Sequence, residues 1–471
     1  MISFSVFDYI IIGLYFVIVL YVGLRTKSSD KSAVDYLVAG RVLTLPAFVA
    51  TLVSTFYGGV LGVGEFTYRF GISSWFLNAF PYYFFIVIFA FFLSRKIRKT
   101  ELFTIPDKLE QTYGKKVGLF GAILIFFLVT PAPYLLMLGI ITQVIFGIPL
   151  FWAMLVCLLF SIVYLFKGGL LADVRVNIVE FIIMFVGFGL IIPFCFTELG
   201  GFDYLQANLP IESLSLTGGN SLQYMLVWFF IGAWALVDPS FHQRCYAAKN
   251  GTIAKNGVLI SLIFWFIFDF LTTTAGLYAR ADLPNIDNPA MSYPLLADKI
   301  LPPIAKGLFF TGMIATIMST LHSYIFISAT TLGNDIIPRI KHTGNRLNEY
   351  SKIGIIITSV VSILIVIWIP SVVNIWYTVG SIIIPALLIS IISSYTKRFT
   401  ISPAFILGAM TASFSISLIC MLYGQFNLID GYASYPFDIE PMYPGLFVGI
   451  IIYSIGFIIQ NINRKPELAE T

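Results

Sequence analysis

Long apolar runs separated by short polar segments organise this chain from end to end. Runs of about 18 to 25 residues recur, each long enough to cross a bilayer. About 13 can be distinguished by this criterion. They centre near Tyr15, Val53, Ile86, Leu128, Val156, Met184, Phe229, Ile263, Ile317, Ile363, Pro385, Met410 and Ile451. The longest polar stretches, residues 198–221, 280–303 and 425–443, are rich in Pro, Asn, Asp and Gly. Residues 100–116, TELFTIPDKLEQTYGKK, have the pattern of a short amphipathic helix lying on a membrane surface. No segment patterns as a soluble domain. The expectation is an all-α integral membrane protein forming one transmembrane domain over residues 1–471.

Two runs are interrupted. Val42–Glu65 carries Gly58-Gly59, then Gly62 and Gly64; Ser221–Pro239 carries Gly232 and ends on Asp238-Pro239. Broken helices free backbone carbonyls, which a membrane tolerates only where they line a cavity or meet an ion, and paired breaks in two halves of a chain point to an inverted-repeat transporter. Small residues at helical spacing also let helices pack closely, and that reading stays open. A third run, Phe309–Ile336, carries Thr316, Ser319, Thr320 and Ser323 in mid-span. Their spacing places all four on one helix face. Such hydroxyls either bond back to their own helix or form a row of neutral oxygens suited to a small hard cation.

Composition excludes an ordinary soluble domain: 58% of the 471 residues are hydrophobic and 11% are charged. The basic residues fall in segments that alternate along the chain. With the amino terminus outside and the tail inside, about 24 of the 28 Lys and Arg residues lie on the inner face. They include Arg25, Lys27, Lys31 and Arg41 in the first inner segment, and Arg244, Lys249, Lys255, Arg339, Lys341 and Arg346 later. The net charge of +4 thus describes topology, and no nucleic-acid partner is expected. Asp8 stands where a signal peptide would carry a basic segment, so the first run reads as a span. Cys157, Cys195, Cys245 and Cys420 have no metal or redox spacing, and no cofactor beyond a coupling ion is expected.

Four motifs bear a family resemblance. DYLVAGRVLTLP with the following broken span and YRFGI resembles the opening of the sodium:solute symporter family. KGGLLADVRVNIVEFIIM is similar to its segment entering core helix 5. DPSFHQRCYAAKN resembles its Q-R-x-x-A-A-K segment, here Gln243, Arg244, Ala247, Ala248 and Lys249. STLHSYIFISATTLGNDI resembles core helix 8. The resemblance implies a LeuT-type fold, with ten core helices as two inverted repeats of five. The expected parts are a leading helix at about 5–24, repeats at about 42–198 and 221–396, and trailing helices at about 400–462.

It also implies sodium-coupled symport of a small solute. By resemblance the sodium ligands fall at the carbonyls of Leu52, Thr55 and Thr316 and the hydroxyls of Ser319 and Thr320. A second ion site near Ser323 is put in doubt by Asn177, which stands where the family has an acid. Glu180 lies one turn deeper, and either acts in coupling or pairs with Arg175 or with the amphipathic surface segment. His322 either bonds a neighbouring helix or responds to protons beside the ion path. Solute-cavity candidates are Phe56, Tyr57, Asn78, Trp234, Asp269, Trp376 and Tyr377, and their aromatic character favours a small amphipathic solute. There are three rivals: proton coupling through Glu180 or His322, a membrane enzyme, and a transporter-like sensor. No nucleophile, zinc or nucleotide motif supports enzyme chemistry.

Overall fold

The computed structural model describes residues 2–26, 32–163, 165–341, 347–429 and 432–467. Lys27, Lys31 and Arg346 of the charge pattern, and the last residues of the tail, lie outside them. Among the described residues the chain is nearly all helix, with one two-residue hairpin pairing Leu428–Ile429 with Tyr432–Ala433. The apolar helices are α1 (Val6–Arg25), α2 (Leu45–Phe56), α3 (Val60–Phe70), α4 (Trp75–Thr100), α5 (Lys115–Leu128), α6 (Ala132–Phe146), α7 (Leu150–Ile162), α8 (Leu165–Glu198), α9 (Leu222–Ile231), α10 (Pro239–Ala247), α11 (Gly251–Asp282), α12 (Ala305–Thr330), α13 (Leu347–Trp368), α14 (Val372–Ser394), α15 (Pro403–Phe426) and α16 (Met442–Glu467).

Eleven of the resulting segments are long and apolar enough to cross a membrane, and the α2–α3 pair makes a twelfth. Each of the expected runs has its helix, but α7, at 13 residues, reaches only about 20 Å, less than a hydrocarbon core of about 30 Å. The two expected breaks differ. At Gly58-Gly59 the axis bends by 55° between α2 and α3. The second interruption stays within one 26-residue span, Leu222–Ala247. There the Asp238 carboxylate caps α10, accepting from the Ser240 backbone N–H at 2.7 Å, and Pro239 takes the first helical position.

The centre of the bundle is α12. All its residues but Leu308 are buried. Gly312 of α12 meets Gly187 of α8 so closely that a Cβ on either would lie 2.8–2.9 Å from the other's Cα. Glycine at both positions lets the two backbones cross at contact distance. Asp8 ties α1 to the start of the same helix. One of its carboxylate oxygens accepts from the backbone N–H groups of Ile304 (2.9 Å) and Gly307 (2.8 Å), and the other accepts from Ser5. Four N–H groups at a helix start lack intrahelical partners, and Asp8 satisfies two groups there from outside the helix. The peripheral helices turn residues such as Val17, Val360, Ile367 and Phe447 outward, as a lipid-facing belt requires.

At one end of the bundle, Thr104 caps the surface helix Ile105–Tyr113. That helix buries Ile105, Leu109 and Tyr113 and keeps a charged edge, as its amphipathic pattern implies. Arg339, beyond α12, bonds Asp107 (2.9 Å) and Glu110 (2.7 Å) of the surface helix and Asp335 of its own segment (3.1 Å).

Candidate ion and solute sites

Where α2 ends at Phe56, its last carbonyls have no further turn to bond, and the hydroxyl row of α12 faces them. Ser319 Oγ donates to the Ser54 carbonyl at 2.7 Å, and Thr320 Oγ1 donates to the Thr55 carbonyl at 2.5 Å. Ser319 also reaches the Thr316 carbonyl at 2.8 Å. The Thr316 hydroxyl turns back onto the Gly312 carbonyl at 2.6 Å, leaving its own carbonyl as its contribution to the row. The structure therefore brings together Thr55, Thr316, Ser319 and Thr320, with Ser54 beside them. Leu52, one turn earlier on α2, is buried but takes no part in these bonds. Glycine is needed at position 58 because a Cβ there would collide with the Thr320 hydroxyl.

Ser323, at the end of the row, has an acidic partner after all. Its Oγ donates to Asp173 Oδ1 at 2.6 Å. Asp173 lies four residues before Asn177, one turn away on the same face of α8. Its other oxygen pairs with Arg244 Nη2 at 2.7 Å, both side chains being fully buried. Asn177 Nδ2 donates to Asp173 (3.1 Å), Thr51 (3.0 Å) and Thr55 (3.1 Å). Arg244, an inner-segment charge by its place in the sequence, is thus a core residue whose guanidinium is matched by a carboxylate. The family-like Q-R motif held that residue, and KGGLLADVRVN held Asp173; its spacing to Asn177 is the signal that could have found it.

Glu180 does not pair with Arg175, whose guanidinium turns to Thr26. Glu180 accepts instead from the Tyr15 hydroxyl at 2.8 Å and lies 3.5 Å from His322 Nε2. His322 Nε2 in turn is 2.9 Å from Asn177 Oδ1 and 3.4 Å from Asp173 Oδ1. A continuous buried polar chain therefore runs from Tyr15 through Glu180, His322 and Asp173 to Arg244.

On the other side of the break lies a cavity enclosing about 780 Å³, its open mouth included. Phe56, Tyr57, Asn78, Trp234, Asp269 and Trp376 all line it. Tyr377 does not: its hydroxyl bonds Glu440 on the loop before α16, where burial pushes the Glu440 carboxyl up. Sequence reasoning missed Tyr82, Tyr83, Tyr134, Trp228, Trp265 and Asp238, which are also part of the walls. Aromatic residues are too frequent here for any one to stand out without the fold. The Trp376 indole fills the space over Gly59 and Gly62, where a Cβ at either position would overlap its ring. Asp269 accepts from the Tyr57 and Tyr83 hydroxyls, one on each oxygen.

Residues 36–411 match the Sodium:solute symporter family. The chain belongs to that family. The family is one of solute symporters, and relatives matched within it are named as sodium cotransporters. The chain is similar to the "Sodium/glucose cotransporter" of Vibrio parahaemolyticus, 25% identical over 375 residues covering 70% of this chain and 69% of that protein. It also resembles the "Sodium/myo-inositol cotransporter" of Bos taurus, at 24% over 434 residues covering 78% of this chain and 59% of that one. The chain thus spans between 59% and 69% of the length of these two relatives.

Among solved structures, a Na+-coupled sialic acid symporter in a substrate-bound outward-open state superposes with a TM-score of 0.79. The match covers 97% of this chain and 98% of that one at 15% identity. Mhp1, a nucleobase-cation-symport-1 family transporter, superposes with a TM-score of 0.60 at 14% identity, over 90% of this chain and 94% of that one. Likeness at this identity establishes the LeuT-type fold.

Proposed function

We propose that sodium binds between α12 and the end of α2, through the Ser319 and Thr320 hydroxyls and the Thr55 and Thr316 carbonyls, with the Ser54 or Leu52 carbonyl completing the set. The solute binds in the aromatic cavity on the far side of the same break. One observation carries this reading: two hydroxyls and two helix-end carbonyls converge at the break, and the next residue, Tyr57, lines the cavity. An ion held there and a solute held by Tyr57 both favour one geometry of the α2–α3 bend, which is the differential affinity that coupling requires. The bundle then rocks to release both at the opposite face. The placement of Lys and Arg supports an orientation with the amino terminus outside and uptake directed inward. The paired interruptions support repeats at about 42–198 and 221–396.

Uptake into proteoliposomes at fixed pH tests this. Transport should need a sodium gradient and stop when potassium replaces sodium. A second reading rests on His322, which lies between Asp173 and Glu180 in a fully buried chain. If protons are the coupling ion, uptake survives the exchange for potassium and follows a pH gradient instead.

A further inference from the structure

Among the described residues, the cavity wall holds a carboxyl group that no basic residue of the wall pairs with. Asp269 is buried in the wall, on α11. Its neighbours at hydrogen-bond distance are phenols, Tyr57 and Tyr83, with Thr272 behind Tyr57. Among the described residues no Lys, Arg or His lines the cavity, and Asp269 takes part in no ion pair. The second acid of the wall, Asp238, is differently placed. Its charge rests on the first turn of α10 through the Ser240 N–H and on the Tyr324 hydroxyl at 3.0 Å.

A buried carboxylate without a cation is costly: such a group either takes up a proton or gains a positive partner. Each oxygen of Asp269 accepts one phenol and keeps a further lone-pair direction. The rings of Phe56, Tyr82, Trp234, Trp265 and Trp376 and the Asn78 amide are also part of the wall. Aromatic faces attract a desolvated cation, and ammonium groups are recognised in this way. A carboxylate amid aromatic rings suits a positive charge on an apolar frame.

We infer that the transported solute is a small organic ammonium compound, its charged nitrogen held by Asp269 between Tyr57 and Tyr83 and its carbon frame against the aromatic walls. This rests on the symport reading and deepens it. Asp269 is a binding residue here, and the tyrosines position its carboxylate.

Matched pairs of probes test it on the purified full chain in proteoliposomes. Ethanolamine is compared with ethylene glycol, and choline with its uncharged isostere 3,3-dimethylbutanol; glucose and myo-inositol are run beside them. The charged member of at least one pair should evoke sodium-dependent current at a concentration about tenfold or more below its neutral partner. Asp269→Asn should abolish that preference while leaving the sodium-induced rise in melting temperature unchanged. The wild-type comparison stands even if the variant does not fold, and Tyr83→Phe provides a milder change that should weaken the preference.

If glucose or myo-inositol drives sodium-dependent current and every ammonium probe is silent, the inference is overturned and the symport reading stands. If ammonium probes bind with the expected preference but sodium has no effect, the inference holds and sodium coupling fails. If Asp269→Asn lowers sodium affinity and leaves ammonium selectivity intact, Asp269 belongs to an ion site and the inference is overturned.

Discussion

Single residues decide whether the α2 break holds an ion. Ser319 and Thr320 place their oxygens on helix-end carbonyls; hydrogen-bonding groups on an ion contribute about 1.5–3 kcal/mol each. Replacing both with Ala should raise the sodium concentration for half-maximal uptake by about tenfold or more. Unchanged sodium dependence in a folded double variant would place the ion elsewhere. Asp173 makes a second test. Asp173→Asn leaves Arg244 as a buried cation without its partner, and should cost about 3–5 kcal/mol in thermal unfolding. Removing both charges, Asp173→Asn with Arg244→Gln, should recover part of that loss, which a role confined to side-chain volume would not produce. At this scale the sequence was legible where chemistry and spacing agreed, as in the hydroxyl row. It was misleading at Ser323, where Asn177 drew the eye from the acid one turn before it. It was silent at Tyr82 and Tyr83, which are two aromatics among many until a cavity selects them.

At the scale of elements, the close crossing of α8 and α12 fixes where the row can stand. Gly187 and Gly312 approach until a methyl on either would lie under 3 Å from the other's backbone. Gly312→Ala should therefore lower stability by about 1–3 kcal/mol, since backbone must shift to admit the methyl. It should also weaken sodium dependence, because α12 carries the row. A thermal-unfolding scan with and without sodium reads both effects. The break at Gly58-Gly59 was visible as a glycine pair, but the sequence could not say that one break bends by 55° while the other stays within one continuous span. At the second interruption Asp238 and Pro239 start a new helical turn within the span, whereas Gly58-Gly59 separates two helices of different direction.

The whole molecule is a bundle whose most buried span, that of α12, is rich in hydroxyls, an arrangement stable in a bilayer because those hydroxyls find partners inside the protein. Most spans and their order were legible because spanning length is set by bilayer thickness, although α7 falls short of it and the 13 expected spans become 11 to 12 among the described residues. Side-chain pairing across the bundle was not legible, because it depends on which helices meet. One such pairing reaches from the beginning of the chain to its far half. Asp8 bonds the backbone at Gly307, 299 residues away in sequence, and Tyr15 bonds Glu180, 165 residues on. During synthesis the first helix enters the membrane long before either partner exists. At ordinary elongation rates the wait for residue 307 lasts about 15–60 s. Of the protein partners that Asp8 has in the finished fold, only Ser5 is present through that interval, so its bonds to the backbone of Ile304 and Gly307 can form only once α12 has been made.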